Sequence, residues 1–187
     1  DAKRAPRRLT VEVWYPATSA HRGRDLDPAS QDSYAMGGIS GEEGSLSRQT
    51  AVRDAARHAA AWPAVLLVHG YAGDRRESTF IGTHLASHGY VVASADHSGS
   101  THHDIEHIIN TAKAEGRRFI RAEIMPALIE HRKGDVPFML DRTIAEFGCP
   151  PARAGITGAS FGGWTSLMGP ALDPRIKVSA PMVPSGG

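Results

Sequence analysis

Five residues, Gly158-Ala159-Ser160-Phe161-Gly162, constrain this chain more than any other stretch. A Gly-X-Ser-X-Gly run belongs where a strand turns sharply into a helix, and the turn is so tight that the residues two before and two after the serine must be small. The flanks predict that context. Arg153-Ala154-Gly155-Ile156-Thr157 reads as a short strand running straight into Gly158, Phe161 to Leu172 reads as the following helix, and Gly163 lets that helix pack closer to the sheet. The plain alternative is that Ser160 only caps the helix starting at Phe161, a common role for serine.

Upstream, the pattern alternates strands and helices. Leu9-Thr10-Val11-Glu12-Val13-Trp14-Tyr15 alternates apolar and polar residues before Pro16 and predicts an early edge strand with one buried face. Ala64-Val65-Leu66-Leu67-Val68 is a continuous apolar run opening into His69-Gly70-Tyr71-Ala72-Gly73, the signature of a central strand ending in a glycine-rich turn. Ser78 or Thr79 can cap a helix that ends at Gly89, and Tyr90 to Ala95 is a second buried strand, which completes a βαβ unit. Two helices fit between Asp104 and His131 with Gly116 between them, as a lid or as an outer layer of the domain. Asp135 can cap another that is closed by Gly148 and Pro150-Pro151. Ile176 to Ala180 reads as one more strand. Ala17 to Ser47 has little periodicity and reads as a surface excursion, whereas Thr50 to Ala61, rich in Ala and Arg, predicts a helix stopped by Trp62-Pro63. Alternating strands and helices imply a mainly parallel sheet covered on both faces, a three-layer α/β sandwich formed by residues 1–187 as a single domain.

Composition excludes several function classes. Lys and Arg number 21 against 20 Asp and Glu, so no overall field argues for nucleic acid. Cys149 is the single cysteine, which excludes a disulfide scaffold and leaves the compartment open. No apolar run reaches the roughly 20 residues that span a bilayer, and no charged-then-apolar leader precedes Asp1; a secreted or periplasmic location after leader removal stays open.

A serine hydroxyl is a weak nucleophile unless a base takes its proton and the chain holds it within reach of substrate. The helix N-terminus behind Ser160 aims the Phe161 N–H at the space where a tetrahedral oxyanion would form, and the helix dipole favours negative charge there. The second donor is expected from the loop after the first central strand, where Tyr71 N–H is the best placed and Gly70 permits close approach. His69 is read as a structural histidine ordering that loop, with a role as catalytic base the competing reading. His97, His102, His103, Asp104 and His107 form the densest group of potential metal ligands, but their spacing matches no standard zinc pattern, and a polar loop lining the site entrance is the expectation.

Several stretches together carry a family resemblance: Val11 to Ala17, His69-Gly70, Leu85 to Val92, Ala95 to Thr101, Asp135 to Asp141 and Gly158 to Gly163. In this order they resemble the α/β-hydrolase family of platelet-activating-factor acetylhydrolases and their bacterial, dienelactone-hydrolase-like relatives. The resemblance implies the α/β-hydrolase fold, with cleavage of a small-molecule or lipid carboxylic ester through an acyl-serine and without metal or organic cofactor. It makes Ser160 the nucleophile and Tyr71 and Phe161 the oxyanion donors. Authentic dienelactone hydrolases carry cysteine in this turn; serine stands here, so ordinary ester hydrolysis is the expectation, with thioester or amide cleavage as rivals.

One departure matters. In this fold the triad runs Ser, then Asp or Glu, then His along the chain. After Ser160 come residues 161–187, which hold no histidine and one carboxylate, Asp173. The expectation is therefore a domain incomplete before its last strands, with acid and base supplied by a C-terminal fragment of the same protein. This chain alone would then be nearly inactive, with an exposed sheet edge where later strands should pack. A noncatalytic binding domain built on the same fold is the alternative.

Overall fold

The computed structural model describes residues 7–35 and 46–185. Seven strands and four α-helices follow one another among these residues. β1 (Val11–Trp14) is followed by the small antiparallel pair β2 (Asp32–Ala35) and β3 (Leu46–Gln49), then by β4 (Ala64–Val68), α1 (Thr79–Ser87) and β5 (Val91–Ala95). α2 (His102–Ala114), α3 (Arg121–Phe147), β6 (Ala154–Ala159), α4 (Phe161–Leu172) and β7 (Ile176–Met182) complete the order.

The main sheet runs β1-β5-β4-β6-β7, with β1 antiparallel to β5 and the other four strands mutually parallel. Period-2 alternation puts Leu66 and Val68 on one face, where they meet Val136, Met139 and Leu140 of α3, Leu172 of α4, and Ile156 and Ile176. Leu67 and Val92 face the other way, onto Trp14, Ala86 and Leu85 of the α1 side. Central parallel strands are buried on both faces, which is why β4 reads as an unbroken apolar run and β5 is buried throughout, Ser94 included.

The chain leaves β4 to form β5 on one side, then crosses to form β6 on the other. The carboxyl ends of β4 and β6 therefore lie side by side at the point where strand order reverses, the place where open α/β sheets build their sites. Val68 pairs with Gly158 at the end of that register, so the turn after β4 meets the turn after β6.

Four expectations need correction. Thr50 to Ala61 is not a helix: Asp54 takes a left-handed φ of 52°, Thr18 N–H donates to Ala56 O, His58 N–H donates to Pro16 O, and Arg53 pairs with Glu12 and Asp32. Tertiary bonds to the segment after β1 outweigh the helix propensity of its alanines. Asp135 caps nothing; α3 runs unbroken from Arg121 to Phe147, and Asp135 lies mid-helix, buried. The excursion from Ala17 to Ser47 contains the β2–β3 pair, with Tyr34 buried and its hydroxyl 3.0 Å from Thr79 Oγ1. On β1 the alternation is inverted, for Glu12 and Trp14 are buried whereas Val11 is exposed. Arg53 and Arg76 neutralise Glu12, and Trp14 donates to Gln49 Oε1 at 2.6 Å.

At the other end of the sheet β7 has β6 as its neighbour and no second one among the described residues; its Val178 is 63% exposed. Among the described residues no helix is long and apolar enough to cross a membrane.

Candidate active site

Ser160 stands between β6 and α4 with φ 54° and ψ −119°, a conformation that L-residues rarely adopt. It occupies the N-cap position, yet its side chain makes no cap hydrogen bond. A capping serine has extended backbone and spends its hydroxyl on the first turn; Ser160 does neither. The turn is pinned instead through its backbone, with Ser160 N–H donating to Met182 O at 3.1 Å and Ser160 O accepting from Ser185 N–H at 3.0 Å.

The glycines around it are required by contact. A Cβ on Gly158 would lie 2.2 Å from Val68 O, and one on Gly162 would lie 2.0 Å from Val68 O and 2.8 Å from His69 O. On Gly163 it would meet Met182 O at 2.5 Å, so this residue abuts the end of β7. Nothing wider than hydrogen fits where α4 passes over the end of β4.

Gly70 lies directly against the serine: a Cβ there would sit 3.7 Å from Ser160 Cβ. The loop is held by three bonds. Gly70 N–H donates to Glu77 Oε1 at 2.9 Å, His69 Nδ1 is 2.7 Å from Gly70 O, and His97 N–H donates to His69 Nε2 at 3.1 Å. The last bond makes Nε2 an acceptor, so the proton of the neutral ring is on Nδ1 and is donated to Gly70 O. A trans peptide is planar with C=O and N–H antiparallel; holding Gly70 C=O inward therefore turns Tyr71 N–H outward. Neither Tyr71 N–H nor Phe161 N–H donates to another group among the described residues.

His69 has no nitrogen to offer as a base. Its imidazole is buried and its pKa is driven well below 6.5, chiefly by burial and then by the Arg132 guanidinium and His97. His97 is fully buried, its Nδ1 2.8 Å from Asp135 Oδ2, and burial followed by Arg132 and Arg7 drives it down as well. His97 thus lies beneath the site and does not line its entrance, which corrects the expectation from sequence. Asp135 accepts from Arg7 through its other oxygen. Asp104 closes a capping box with Thr101 at the start of α2, and His102 and His103 lie in the first turn of that helix. Asp173, the carboxylate after Ser160, is gripped by Arg175, which holds it below the usual carboxylate range. Among the described residues no three or more His, Cys, Asp or Glu side chains gather as metal ligands.

Two buried neutral imidazoles have a consequence for stability. Their native pKa values are depressed, so unfolding takes up protons; the stability they add is fully present above pH 6.5 and is lost as pH falls from there toward the native values. Each contributes a slope of up to about 1.4 kcal/mol per pH unit. Burial raises Asp135 and Glu77, which act in the opposite sense at lower pH and oppose part of the loss there. Urea unfolding at pH 7.5 and 5.5 is expected to show lower stability at 5.5; equal values would refute the neutral, buried assignment.

A mostly parallel sheet with helices on both faces, and a glycine-bracketed serine where β6 turns into α4, define the α/β-hydrolase fold. The chain belongs to the family of platelet-activating factor acetylhydrolase, isoform II, whose family model matches residues 4–121. Among solved structures it is similar to a ferulic acid esterase from Streptomyces cinnamoneus, with 22% identity and a TM-score of 0.60 over 91% of this chain and 50% of that one. An acetyl xylan esterase from Paenibacillus sp. R4 matches with 23% identity and a TM-score of 0.50 over 67% of this chain and 40% of that one. The chain thus spans half or less of the length of these two solved chains. No curated protein matches it.

Sequence reasoning placed Ser160, Tyr71, Phe161, His69 and the glycines at one end of the sheet, and the structure brings all of them together there. It missed Glu77, Ser100 and Arg132. Glu77 precedes the helix start expected at Ser78 or Thr79, Arg132 falls between the helices expected to end at His131 and to begin at Asp135, and no local spacing connects either to a strand end.

Proposed function

We propose that this chain carries the nucleophile half of a serine carboxylic-ester hydrolase acting on a small-molecule or lipid ester. The observation that carries the reading is the backbone of Ser160, held at φ 54° with its hydroxyl unspent on the helix. Backbone strain of about 1–3 kcal/mol is retained where the surrounding structure over-determines it, and the tight packing at Gly158 and Gly162 does so here. Family membership supports the ester-bond class.

In this reading Ser160 Oγ bonds to the ester carbonyl carbon while its proton passes to a base, and the carbonyl π pair moves onto oxygen. The N–H groups of Tyr71 and Phe161 stabilise that oxyanion, the latter aided by the α4 dipole. Collapse breaks the bond to the alcohol, which leaves with the proton from the base. Water then repeats the addition at the acyl-serine and releases the acid. No metal or organic cofactor is required. The base and its carboxylate come from a C-terminal part of the same protein: all ten histidines precede Ser160, His69 has both ring nitrogens bonded, and His97 is fully buried. The unpaired side of β7 is where that part adds its strands.

The test is labelling of the complete protein with a fluorophosphonate, followed by peptide mass mapping. The adduct is expected on Ser160. An unlabelled Ser160 in a protein that includes the C-terminal part overturns the reading and leaves a noncatalytic domain.

A further inference from the structure

We propose that Arg132 is a positioning residue that holds the Gly70–Tyr71 peptide in its donating orientation and ties it to the turn carrying Ser160; this rests on the ester-hydrolase reading above. Arg132 projects from the middle of α3 and is fully buried. Its Nη1 donates to His69 O at 3.2 Å and its Nη2 to Ser100 Oγ at 2.9 Å, with Gly70 O at 3.5 Å. Its Nη2 also comes within 3.4 Å of His69 Nδ1. Both atoms carry hydrogens, so this contact is a repulsion that keeps the ring neutral, not a bond. The guanidinium lies over the Phe161 ring, 4.9 Å from its centroid. One side chain therefore touches the loop after β4, the loop after β5 and the first residue of α4.

Such a burial is costly. Among the described residues no carboxylate lies within ion-pair distance of Arg132, its Nε has no partner, and burial pulls its pKa down to about 9. A buried charge without a direct counter-ion is a poor device for stability, since an apolar side chain of similar volume commonly does as well or better. What the guanidinium supplies is direction. It holds the carbonyl of His69 while Glu77 holds the N–H of the same peptide, so that plane is gripped at both ends. The next peptide turns about Gly70, whose missing side chain permits rotation. His69 Nδ1–H and the Arg132 charge face its carbonyl, and by planarity Tyr71 N–H points the other way. Without Arg132 the Gly70 carbonyl loses the nearby charge and His69 loses its anchor. The peptide can then rotate and withdraw a donor from the oxyanion.

That contact strengthens as the oxyanion forms, so its loss lowers kcat and leaves KM nearly unchanged. The experiment compares Arg132→Met, Ser100→Ala and Ser160→Ala in the complete protein. It measures p-nitrophenyl butyrate kinetics, with kcat expressed per phosphonate-titrated site, and melting temperature. Arg132→Met is expected to lower kcat about 10- to 100-fold, part of the effect of losing one oxyanion donor, with KM within about threefold. Ser100→Ala, which removes a single bond to the guanidinium, is expected to lower kcat about threefold in the same direction. A kcat per titrated site that is unchanged in Arg132→Met overturns the proposal, as does a loss that tracks melting temperature and KM together. If Arg132→Met does not fold, an unchanged kcat in Ser100→Ala overturns it. Full turnover by Ser160→Ala would instead sink the hydrolase reading, whereas a dead Ser160→Ala beside a fully active Arg132→Met sinks the positioning role alone.

Discussion

Ser160→Ala is expected to lower kcat/KM of the complete protein for p-nitrophenyl acetate by roughly 10⁴-fold or more while its melting temperature stays within about 2 °C. On the proposed reading, deleting the nucleophile leaves only what the oxyanion donors and binding supply, which sets the size of the expected loss. The stability expectation comes from the turn itself. Ser160 Oγ caps nothing, and the backbone bonds to Met182 and Ser185 do not involve the hydroxyl. Alanine accepts φ 54° no more readily than serine does, so the strain is the same in both proteins. A capping serine would behave in the opposite way, with activity retained and about 1 kcal/mol of stability lost. Kinetics and melting of one variant therefore separate the two roles, and activity near wild type would end the nucleophile assignment.

Gly162→Ala is expected to destabilise the protein by about 3 kcal/mol or more and to abolish labelling of Ser160. The added methyl would lie 2.0 Å from Val68 O and 2.8 Å from His69 O, both backbone atoms that cannot rotate away. Relief requires moving α4 off the end of β4, which turns the Ser160–Phe161 peptide away from its present direction and breaks the packing of Gly70 against Ser160. The companion variant Gly134→Ala has no heavy atom within 4 Å of its new methyl and lies at an exposed position of α3. It is expected to stabilise by about 0.5–1 kcal/mol, since alanine loses less backbone entropy in a helix. Urea unfolding of both tests sign as well as size. Similar effects would mean that the contact at Gly162 is not what decides.

Much of the candidate site was legible because its logic is local. The serine, the glycines two residues either side and the strand-to-helix switch occupy consecutive residues, and the steric demand of that turn is written in which side chains are absent. The apolar run Ala64 to Val68 and the mostly apolar Val91 to Ala95 likewise announce buried parallel strands, and the glycine-rich turn after the first is a local signal for a loop at the strand end. Boundaries failed where long-range bonds compete with propensity. The alanines of Thr50 to Ala61 favour a helix in isolation, but the backbone of that segment is bound to the stretch after β1.

Sequence alone thus determined the alternation of strands with helices, the α4 helix from Phe161 to Leu172 and the serine turn with its flanking glycines. Each depends on neighbours in the chain. Tertiary structure alone decided which side chains stand behind that turn. Arg132 is 63 residues from His69 and Asp135 is 38 from His97, and they meet because α3 packs across the sheet face beneath the ends of β4 and β5. It also decided that His97 is a neutral core group and not an entrance residue. An imidazole's charge state follows from its burial and its partners, and no spacing in the chain encodes either.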